Sequence, residues 1–213
     1  MKKISVENPA FYVLTLFFFL SGCVPINSAF ESAKMLEKNQ LELKGNYSSY
    51  YFAEDEADLA NRNYGIGLGY GINNKLNIKL RYELISFPEN TTDFYHYYDI
   101  APKYSLIENK WAVIFPVGVY AAKSEEPTFV LSPRILYTYS YNQYLEITGS
   151  VKSDFFLVED ADLPVGFTLG LGISNHFDIW ALRPEAGYMF DPGDEDQAFT
   201  FGIGLNYNFQ IGK

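Results

Sequence analysis

The sequence predicts an all-β protein that folds as an antiparallel up-and-down β-barrel of ten strands, with eight strands as the alternative. Three observations support this prediction: apolar and polar residues alternate with a period of two, the alternating segments are long, and short turns alternate with longer loops between them. The chain of 213 residues is 48% hydrophobic and contains 18 Tyr and 18 Phe. It therefore has enough apolar surface to form a packed fold.

The strands follow from the alternation, taken in chain order. In the first segment Leu41, Leu43 and Tyr47 share one face and polar residues occupy the other, which is strand periodicity. The second segment places glycines opposite its apolar residues, and the third places Lys, Arg and Glu there. Clear alternation predicts strands over 41–51, 64–72, 76–84, 164–174 and 198–209, and weaker alternation predicts strands near 95–106, 111–121, 128–139, 144–155 and 177–190.

The breaks between these segments fall into two classes. Short turns are predicted at 73–75, 108–110, 141–143 and 175–176, and longer loops at 53–63, 87–94, 122–128, 157–163 and 191–197. Five loops and four turns give ten strands, with both ends of the barrel on the short-turn side. A tilted strand needs about 9–11 residues to cross a bilayer, whereas globular strands have about 5–6. The segment lengths therefore predict a transmembrane barrel over residues 39–210, with its apolar face turned to lipid.

Three stretches resemble a known family. Residues 64–71, the turn and strand at 73–82, and the closing strand at 201–209 look like small bacterial outer-membrane β-barrel proteins of the opacity and OmpA-membrane-domain type. The pattern covers nearly all of residues 39–209. The resemblance reports architecture and not one activity, and it implies that the barrel-assembly machinery reads the last strand. The sequence departs from that type in two ways: ten strands are predicted where eight are usual, and residues 210–213 follow the terminal aromatic Phe209.

The N-terminus has the pattern of a secretory signal peptide over residues 1–22. Lys2 and Lys3 precede an apolar run at 11–20, which is too short to cross a bilayer as a helix. The run ends in Leu-Ser-Gly-Cys at 20–23, which resembles a bacterial lipobox and predicts lipid attachment at Cys23. The alternative is a plain secretory signal cut near residues 28–29. Residues 23–38 are predicted to be a linker, with a short helix possible at 31–38 and no evident chemistry.

Charge is distributed unevenly along the chain. The net charge is -10, which argues against a nucleic-acid partner because phosphate binding needs basic clusters. The five long loops contain fifteen acidic residues against Arg62 and Lys123, so the acidity belongs to one end of the barrel. We interpret it as a solvated surface facing outward. A rim that binds Ca²⁺ or Mg²⁺ and bridges to lipopolysaccharide is the alternative, although the densest cluster, at 191–196, lacks EF-hand spacing.

The strand assignment also predicts a charged lumen. The inward faces carry seven basic and six acidic residues, which we expect to form ion pairs because buried charges persist only when paired. Ten strands are too few for a wide aqueous pore, so a structural, surface-interaction or narrow small-solute transport role is expected. The predicted lumen residues are Glu42, Lys44, Lys79, Arg81, Glu83, Asp99, Lys103, Arg134, Glu146, Lys152, Asp154, Arg183 and Glu185.

Two alternatives to this role remain at the level of sequence. One is a lipid-tethered lipocalin-like barrel with an apolar ligand inside, which requires apolar faces that point inward. The other is a barrel hydrolase that uses His96 with Asp93 or Asp99, since nucleophile activation requires an adjacent base; His176 lies in a short turn. We favour the non-enzymatic barrel, without cofactor or metal.

We expect the non-enzymatic barrel to be monomeric in the bacterial outer membrane. Its termini are expected in the periplasm and its acidic loops outside the cell. Its expected partners are outer-membrane lipid, lipopolysaccharide and the barrel-assembly machinery.

Overall fold

Thirteen β-segments pair into one antiparallel sheet that closes on itself. The computed structural model describes residues 28–52, 58–88, 94–123, 126–158, 163–192 and 197–211. The segments are β1 (Gln40–Phe52), β2 (Leu59–Asn73), β3 (Leu76–Ser86), β4 (Phe94–Ile107), β5 (Trp111–Ile114), β6 (Val117–Ala121), β7 (Thr128–Leu131), β8 (Arg134–Ser140), β9 (Leu145–Ser153), β10 (Phe155–Phe156), β11 (Val165–Ile173), β12 (Trp180–Phe190) and β13 (Gln197–Gln210).

The thirteen segments make ten barrel strands. β5 and β6 both pair with β4 and form one strand. β7 and β8 form the next strand, since β7 pairs with β6 and β8 with β5. β9 and β10 form the one after it, since β9 pairs with β8 and β10 with β7. Two of these strands are interrupted at Pro116 and Pro133, because proline has no N–H to continue a ladder of hydrogen bonds. The Ser132 amide still donates to the Pro116 carbonyl at 3.0 Å. The prediction of an all-β, antiparallel, ten-stranded up-and-down barrel is confirmed.

The seam of the barrel lies between its first and last strands. β1 and β13 pair without interruption from Gln40 opposite Gln210 to Phe52 opposite Ala198. Since β1 begins and β13 ends at this seam's first pair, both strand ends lie on the rim that carries the short turns. We call this rim the short-turn rim and the other the long-loop rim.

The two faces of the barrel differ in polarity. Large apolar side chains point outward and stay exposed, including Ile66 (64%), Leu169 (61%) and Phe201 (53%). The inward face carries glycines and buried charged residues. A lipocalin-like barrel needs the reverse arrangement, so the structure contradicts that alternative.

The inward face is not polar along its whole height. Near the long-loop rim, Ile85, Tyr97, Tyr120 and Val130 form a buried apolar cluster, against which Phe156 and other side chains pack. The Tyr97 and Tyr120 rings lie 4.6 Å apart between centroids. The alternation predicts small or charged residues on the inward faces, and this prediction is wrong for Tyr97 and Tyr120.

Two strand boundaries differ from the predicted ones. β2 begins at Leu59, so Arg62 belongs to a strand and not to the loop that precedes it. Residues 59–62 do not alternate, and the β1–β2 register shifts between Tyr50 and Tyr51. β12 begins at Trp180 and not near 177, because the Ile179 and Trp180 amides both donate to the His176 carbonyl at 2.9 Å and form a turn.

The predicted signal peptide and Cys23 lie outside the described residues. Within the described part of the chain, no helix is long and apolar enough to cross a membrane.

Candidate functional site

We call residues 28–38 the plug: residues 28–36 lie inside the barrel, and Glu37 and Lys38 are exposed at the short-turn rim. Phe30 is 2% exposed and Ala33 is fully buried, although neither belongs to a strand or a helix. From the sequence, these residues are predicted only to be a linker or a short helix. The structure places residues 28–36 in the lumen, against side chains from strands around the wall.

The plug rises from the short-turn rim towards the middle of the barrel. At the rim, the Asn39 amide donates to the Gly71 carbonyl at 2.9 Å. Higher up, the Ala33 amide donates to Thr138 Oγ1 at 2.7 Å. The Ser28 amide donates to the hydroxyl of Tyr50 at 3.3 Å, and Tyr50 is two residues from the outer end of β1. Successive residues of the plug, read backwards from Asn39, therefore approach the long-loop half.

The Glu31 carboxylate is the centre of the plug's ionic contacts. Lys79 Nζ donates to its two oxygens at 3.1 and 3.0 Å, and Lys103 Nζ lies 3.3 Å from Oε2. Lys44 Nζ also donates to Glu31 Oε1. We call Lys44, Lys79 and Lys103 the lysine cluster. Glu42 joins it from the wall, at 2.5 Å from Lys79 Nζ.

The lysine cluster determines the charge state of Glu31. Burial by itself raises the pKa of this carboxyl, but the ammonium groups of Lys44, Lys79 and Lys103 outweigh burial and hold the pKa well below its usual range. Glu31 is therefore ionised at neutral pH, as a carboxylate that accepts hydrogen bonds from three cations must be.

Wall side chains also satisfy the plug's backbone. Lys103 Nζ donates to the carbonyls of Ser32 and Lys34 at 2.7 and 2.8 Å. On the opposite wall, the Glu185 carboxylate accepts the amides of Ala29 and Phe30 at 2.9 and 3.1 Å. A buried segment that belongs to no strand or helix needs such partners for its backbone, because an unpaired backbone group costs about 1–3 kcal/mol when buried.

Three further plug carbonyl and side-chain contacts complete this attachment. Lys44 Nζ donates to the Ala29 carbonyl at 3.0 Å, and Arg81 Nη1 donates to the Ser28 carbonyl at 3.1 Å. Lys34 of the plug forms an ion pair with Glu146 at 2.7 Å. The plug is thus bound mainly by charge-assisted hydrogen bonds, which are the stronger kind.

Phe30 anchors the plug by shape. Its φ of 53° is unusual for a residue that is not glycine. Its ring lies over two glycines of β13, and a Cβ added to Gly204 would come within 2.6 Å of Phe30 Cβ. A Cβ on Gly202 would meet the Phe30 ring at the same distance. These two positions must therefore be glycine if Phe30 is to dock.

Twelve of the thirteen charged residues predicted for the lumen lie on inward faces of the strands, and Asp154 is buried between β9 and β10. Arg81 and Asp99 pair at 2.8 Å, Lys152 and Asp154 at 2.6 Å, and Glu146 receives Arg183 at 2.7 Å besides Lys34. The others accept or donate neutral or backbone hydrogen bonds, or join the lysine cluster. They are Glu42, Lys44, Lys79, Glu83, Lys103, Arg134 and Glu185.

Glu31 and Lys34 were missed at the level of sequence. Residues 28–38 lack the alternation that marks the strands, so nothing local indicates which way their side chains point. The available signal lies in the wall. Inward glycines on β2 and β13 leave space that the neighbouring side chains do not fill, and the plug's Leu36 and Phe30 fill it.

A cavity of about 770 Å³ opens at the short-turn rim. Its lining includes Asn74, Asn109 and Asp178 from the short turns, and Glu31 and Lys103 at its inner end. The cavity therefore leads from the rim to the lysine cluster.

The structure does not bring His96 and Asp99 together as a catalytic pair. His96 is on the outer face of β4, where its Nδ1 lies 2.9 Å from the Tyr82 hydroxyl. Asp99 points into the lumen and pairs with Arg81, because residues an odd number apart on a strand face opposite ways. Asp93 lies outside the described residues, and His176 lies in the turn before β12.

Most of the acidic loop residues lie outside the described part of the chain. Asp58, Glu126 and Asp191 are described, whereas the others are not; these are Glu54, Asp55, Glu56, Glu89, Asp93, Glu125, Glu159, Asp160, Asp162, Asp194, Glu195 and Asp196. Among the residues described, no group of three or more His, Cys, Asp or Glu side chains is arranged to hold a metal ion.

Comparison with known proteins gives a likeness of fold. No family model and no curated protein matches the chain. Among solved structures, Ail, the attachment invasion locus protein of Yersinia pestis, is 14% identical with a TM-score of 0.36, over 81% of this chain and 99% of that one. The N-terminal β-barrel domain of OprF from Pseudomonas aeruginosa is 10% identical with a TM-score of 0.36, over 81% and 98%.

The outer-membrane protease OmpT from Escherichia coli is 12% identical with a TM-score of 0.42, over 85% of this chain and 100% of that one. These three solved structures are outer-membrane β-barrels, and the likeness to them is one of fold alone. Similarity this low does not extend to activity.

Replacing Gly204 by leucine should keep the plug out of the lumen, because the new side chain occupies the position of Phe30. The measurement is the rate of maleimide labelling at Ala33→Cys in a Cys23→Ala background, since Ala33 is fully buried when the plug is docked. We expect slow labelling with Gly204 and labelling at least tenfold faster with Gly204→Leu.

Gly170→Ala is the matched control for this labelling experiment. Gly170 also faces the lumen, but an added Cβ would meet its nearest atom at an ordinary 3.5 Å. Equal labelling of the Gly204→Leu and Gly170→Ala proteins would contradict the role assigned to the glycine pair under Phe30.

Proposed function

We propose that this chain is a non-enzymatic bacterial outer-membrane β-barrel protein with a structural or surface-interaction role, whose lumen is closed at rest by the plug. The observation that carries the proposal is the polarity of the wall. Apolar side chains such as Ile66 and Leu169 are exposed on the outside, while Lys79, Glu83 and Lys103 are buried inside. In water this arrangement is unfavourable on both faces, whereas a lipid surrounding makes the outer face favourable.

Aromatic residues near the rims support the same setting. Trp111 begins β5 at the short-turn rim, and its ring lies 4.8 Å from that of Tyr137. Tyr207 and Phe209 lie near the end of β13 on that rim. Aromatic side chains at the edge of an apolar band are typical of transmembrane barrels, where their rings sit among the headgroups.

A structural or surface-interaction role fits a filled lumen. The plug occupies the half of the lumen next to the short-turn rim, and the Tyr97–Tyr120 cluster lies near the long-loop rim. Narrow small-solute transport is the second candidate. One observation favours it. The cavity at the short-turn rim leads to the plug, and ion pairs and hydrogen bonds hold the described plug residues in place.

We also propose an orientation, partners and a lipid anchor for the protein. We place the short-turn rim in the periplasm and the acidic long loops outside the cell, in contact with lipopolysaccharide. Insertion would use the barrel-assembly machinery, and the protein would act as a monomer. Cys23 is the proposed site of lipid attachment, which would add an anchor to a barrel already held by its outer face.

Replacing Cys23 by alanine should leave the protein in the outer-membrane fraction, because the barrel's own apolar face holds it there. The variant should resist extraction with alkaline carbonate and run faster on gels when unheated than when boiled, as folded barrels do. Release of a soluble, folded protein would overturn the membrane-barrel proposal.

A charge on the outer face should destabilise the protein only if that face contacts lipid. Ile66 lies near the middle of β2. Its replacement by arginine should lower the free energy of unfolding by about 2–4 kcal/mol, which is the penalty for an arginine at the bilayer midplane. Tyr141→Arg is the matched control, since Tyr141 has the same exposed fraction of 64% but lies in a short turn. Urea unfolding in lipid vesicles measures both, and equal small effects would contradict a lipid-facing β2.

Planar-bilayer recording separates the two candidate roles. We expect a silent bilayer from the native protein and discrete, salt-dependent openings from Gly204→Leu, whose plug is displaced. If the Gly204→Leu protein labels fast at Ala33→Cys and remains silent, then wall side chains alone close the lumen and the transport candidate is wrong.

A further inference from the structure

We propose that the lysine cluster is a binding site for a compact oxyanion, a carboxylate or a phosphate, which Glu31 occupies when the plug is docked. Lys44, Lys79 and Lys103 come from three of the first four barrel strands, β1, β3 and β4 respectively. Their ammonium groups converge on one carboxylate. The glycines of β2 leave room for this convergence, since an added Cβ at Gly67 or Gly69 would touch Lys44 or Lys79.

The barrel wall alone leaves these cations without enough acceptors. Among the described residues, every acceptor of Lys103 Nζ belongs to the plug: Glu31 and the carbonyls of Ser32 and Lys34. The acceptors of Lys44 Nζ are also plug atoms. Lys79 alone keeps a wall partner, Glu42. Removing Glu31 therefore leaves three ammonium groups with one carboxylate.

Burial makes this excess positive charge unfavourable unless an anion or hydrogen bonds balance it. Lys103 is 2% exposed and Lys79 is 8% exposed, and an ammonium group in such surroundings needs a counter-charge or several hydrogen bonds. The neighbouring Arg81 does not supply further positive charge to the site, since Asp99 neutralises it. The incoming anion would share the Lys79 ammonium group with Glu42, a carboxylate of the wall.

The site has a route of access that does not cross the barrel. The 770 Å³ cavity at the short-turn rim is lined at its inner end by Glu31, Lys79 and Lys103. An oxyanion that enters there meets the lysine cluster once the Glu31 side chain gives way. The ligand replaces one carboxylate with another oxyanion, so no new kind of contact is needed.

Chemical rescue of a Glu31 variant tests the proposal. Glu31→Ala removes the internal carboxylate and leaves space for an added anion, so the midpoint temperature of unfolding should fall below that of the native protein. Sodium acetate or inorganic phosphate should raise it again by several degrees, whereas sodium chloride at equal ionic strength should not. Native protein should gain little from either anion. The two oxyanions form separate arms, and the larger rescue identifies the preferred class.

Two variants control the rescue experiment. In the double variant Glu31→Ala, Lys79→Met, rescue should be lost. The lysine that donates hydrogen bonds to both oxygens of the Glu31 carboxylate in the native protein is then absent. Glu37→Ala removes another plug carboxylate, which bonds the exposed Gln210 amide instead, and should show no rescue. Rescue by chloride equal to that by acetate and phosphate, or rescue that survives Lys79→Met, would overturn the site.

A second measurement keeps the test decisive if Glu31→Ala does not fold. In the Cys23→Ala, Ala33→Cys protein with Glu31 intact, phosphate should compete with Glu31 and speed maleimide labelling severalfold, and chloride should not. Identical labelling rates in the two salts would contradict the proposal. The assays use purified protein in detergent, so their failure leaves the membrane-barrel proposal standing, and carbonate extraction can fail independently of them.

Discussion

The structure depends on one constraint: charged side chains that face the lumen need partners within it. The strands turn seven basic and six acidic residues inward, and water cannot reach most of them freely. Isolated charges in such a place would cost several kcal/mol each. Ion pairs within the wall, such as Arg81 with Asp99, satisfy some of them. The N-terminal segment satisfies others, and its position follows from the charges that the wall leaves unmatched.

Size complementarity acts together with charge. Inward glycines on β2 and β13 lie beside strands that carry long charged side chains, and the plug's Phe30 and Leu36 rest against these glycines. The half of the ten-stranded barrel next to the short-turn rim is therefore filled because the plug and the wall interlock, while the Tyr97–Tyr120 cluster fills the lumen near the long-loop rim. The outer face then needs only to match its surroundings. Two requirements, a matched lumen and an apolar exterior, are thereby met by alternate residues of the same strands.

The sequence is informative where its period is strict and silent where it is not. Alternation places Lys79, Arg81 and Glu83 on one face of β3, and when the other face is turned to lipid all three point into the lumen. The same rule puts His96 and Asp99 on opposite faces. Residues 28–38 have no period, and their contacts lie far away in the chain. No local propensity can reveal that Glu31 meets Lys103, because only closure of the barrel brings the two together.

The plug's partners also fix the order in which the protein can be completed. Its amides bond Thr138, 105 residues away from Ala33, and Glu185, 156 residues away from Ala29. Bringing such distant residues together carries the entropy of closing a long loop, so these contacts form late. The first described segment of the chain is consequently among the last to be fixed in place. A barrel that lacks β12 cannot hold it, and docking of the plug therefore marks a barrel whose strands are all present.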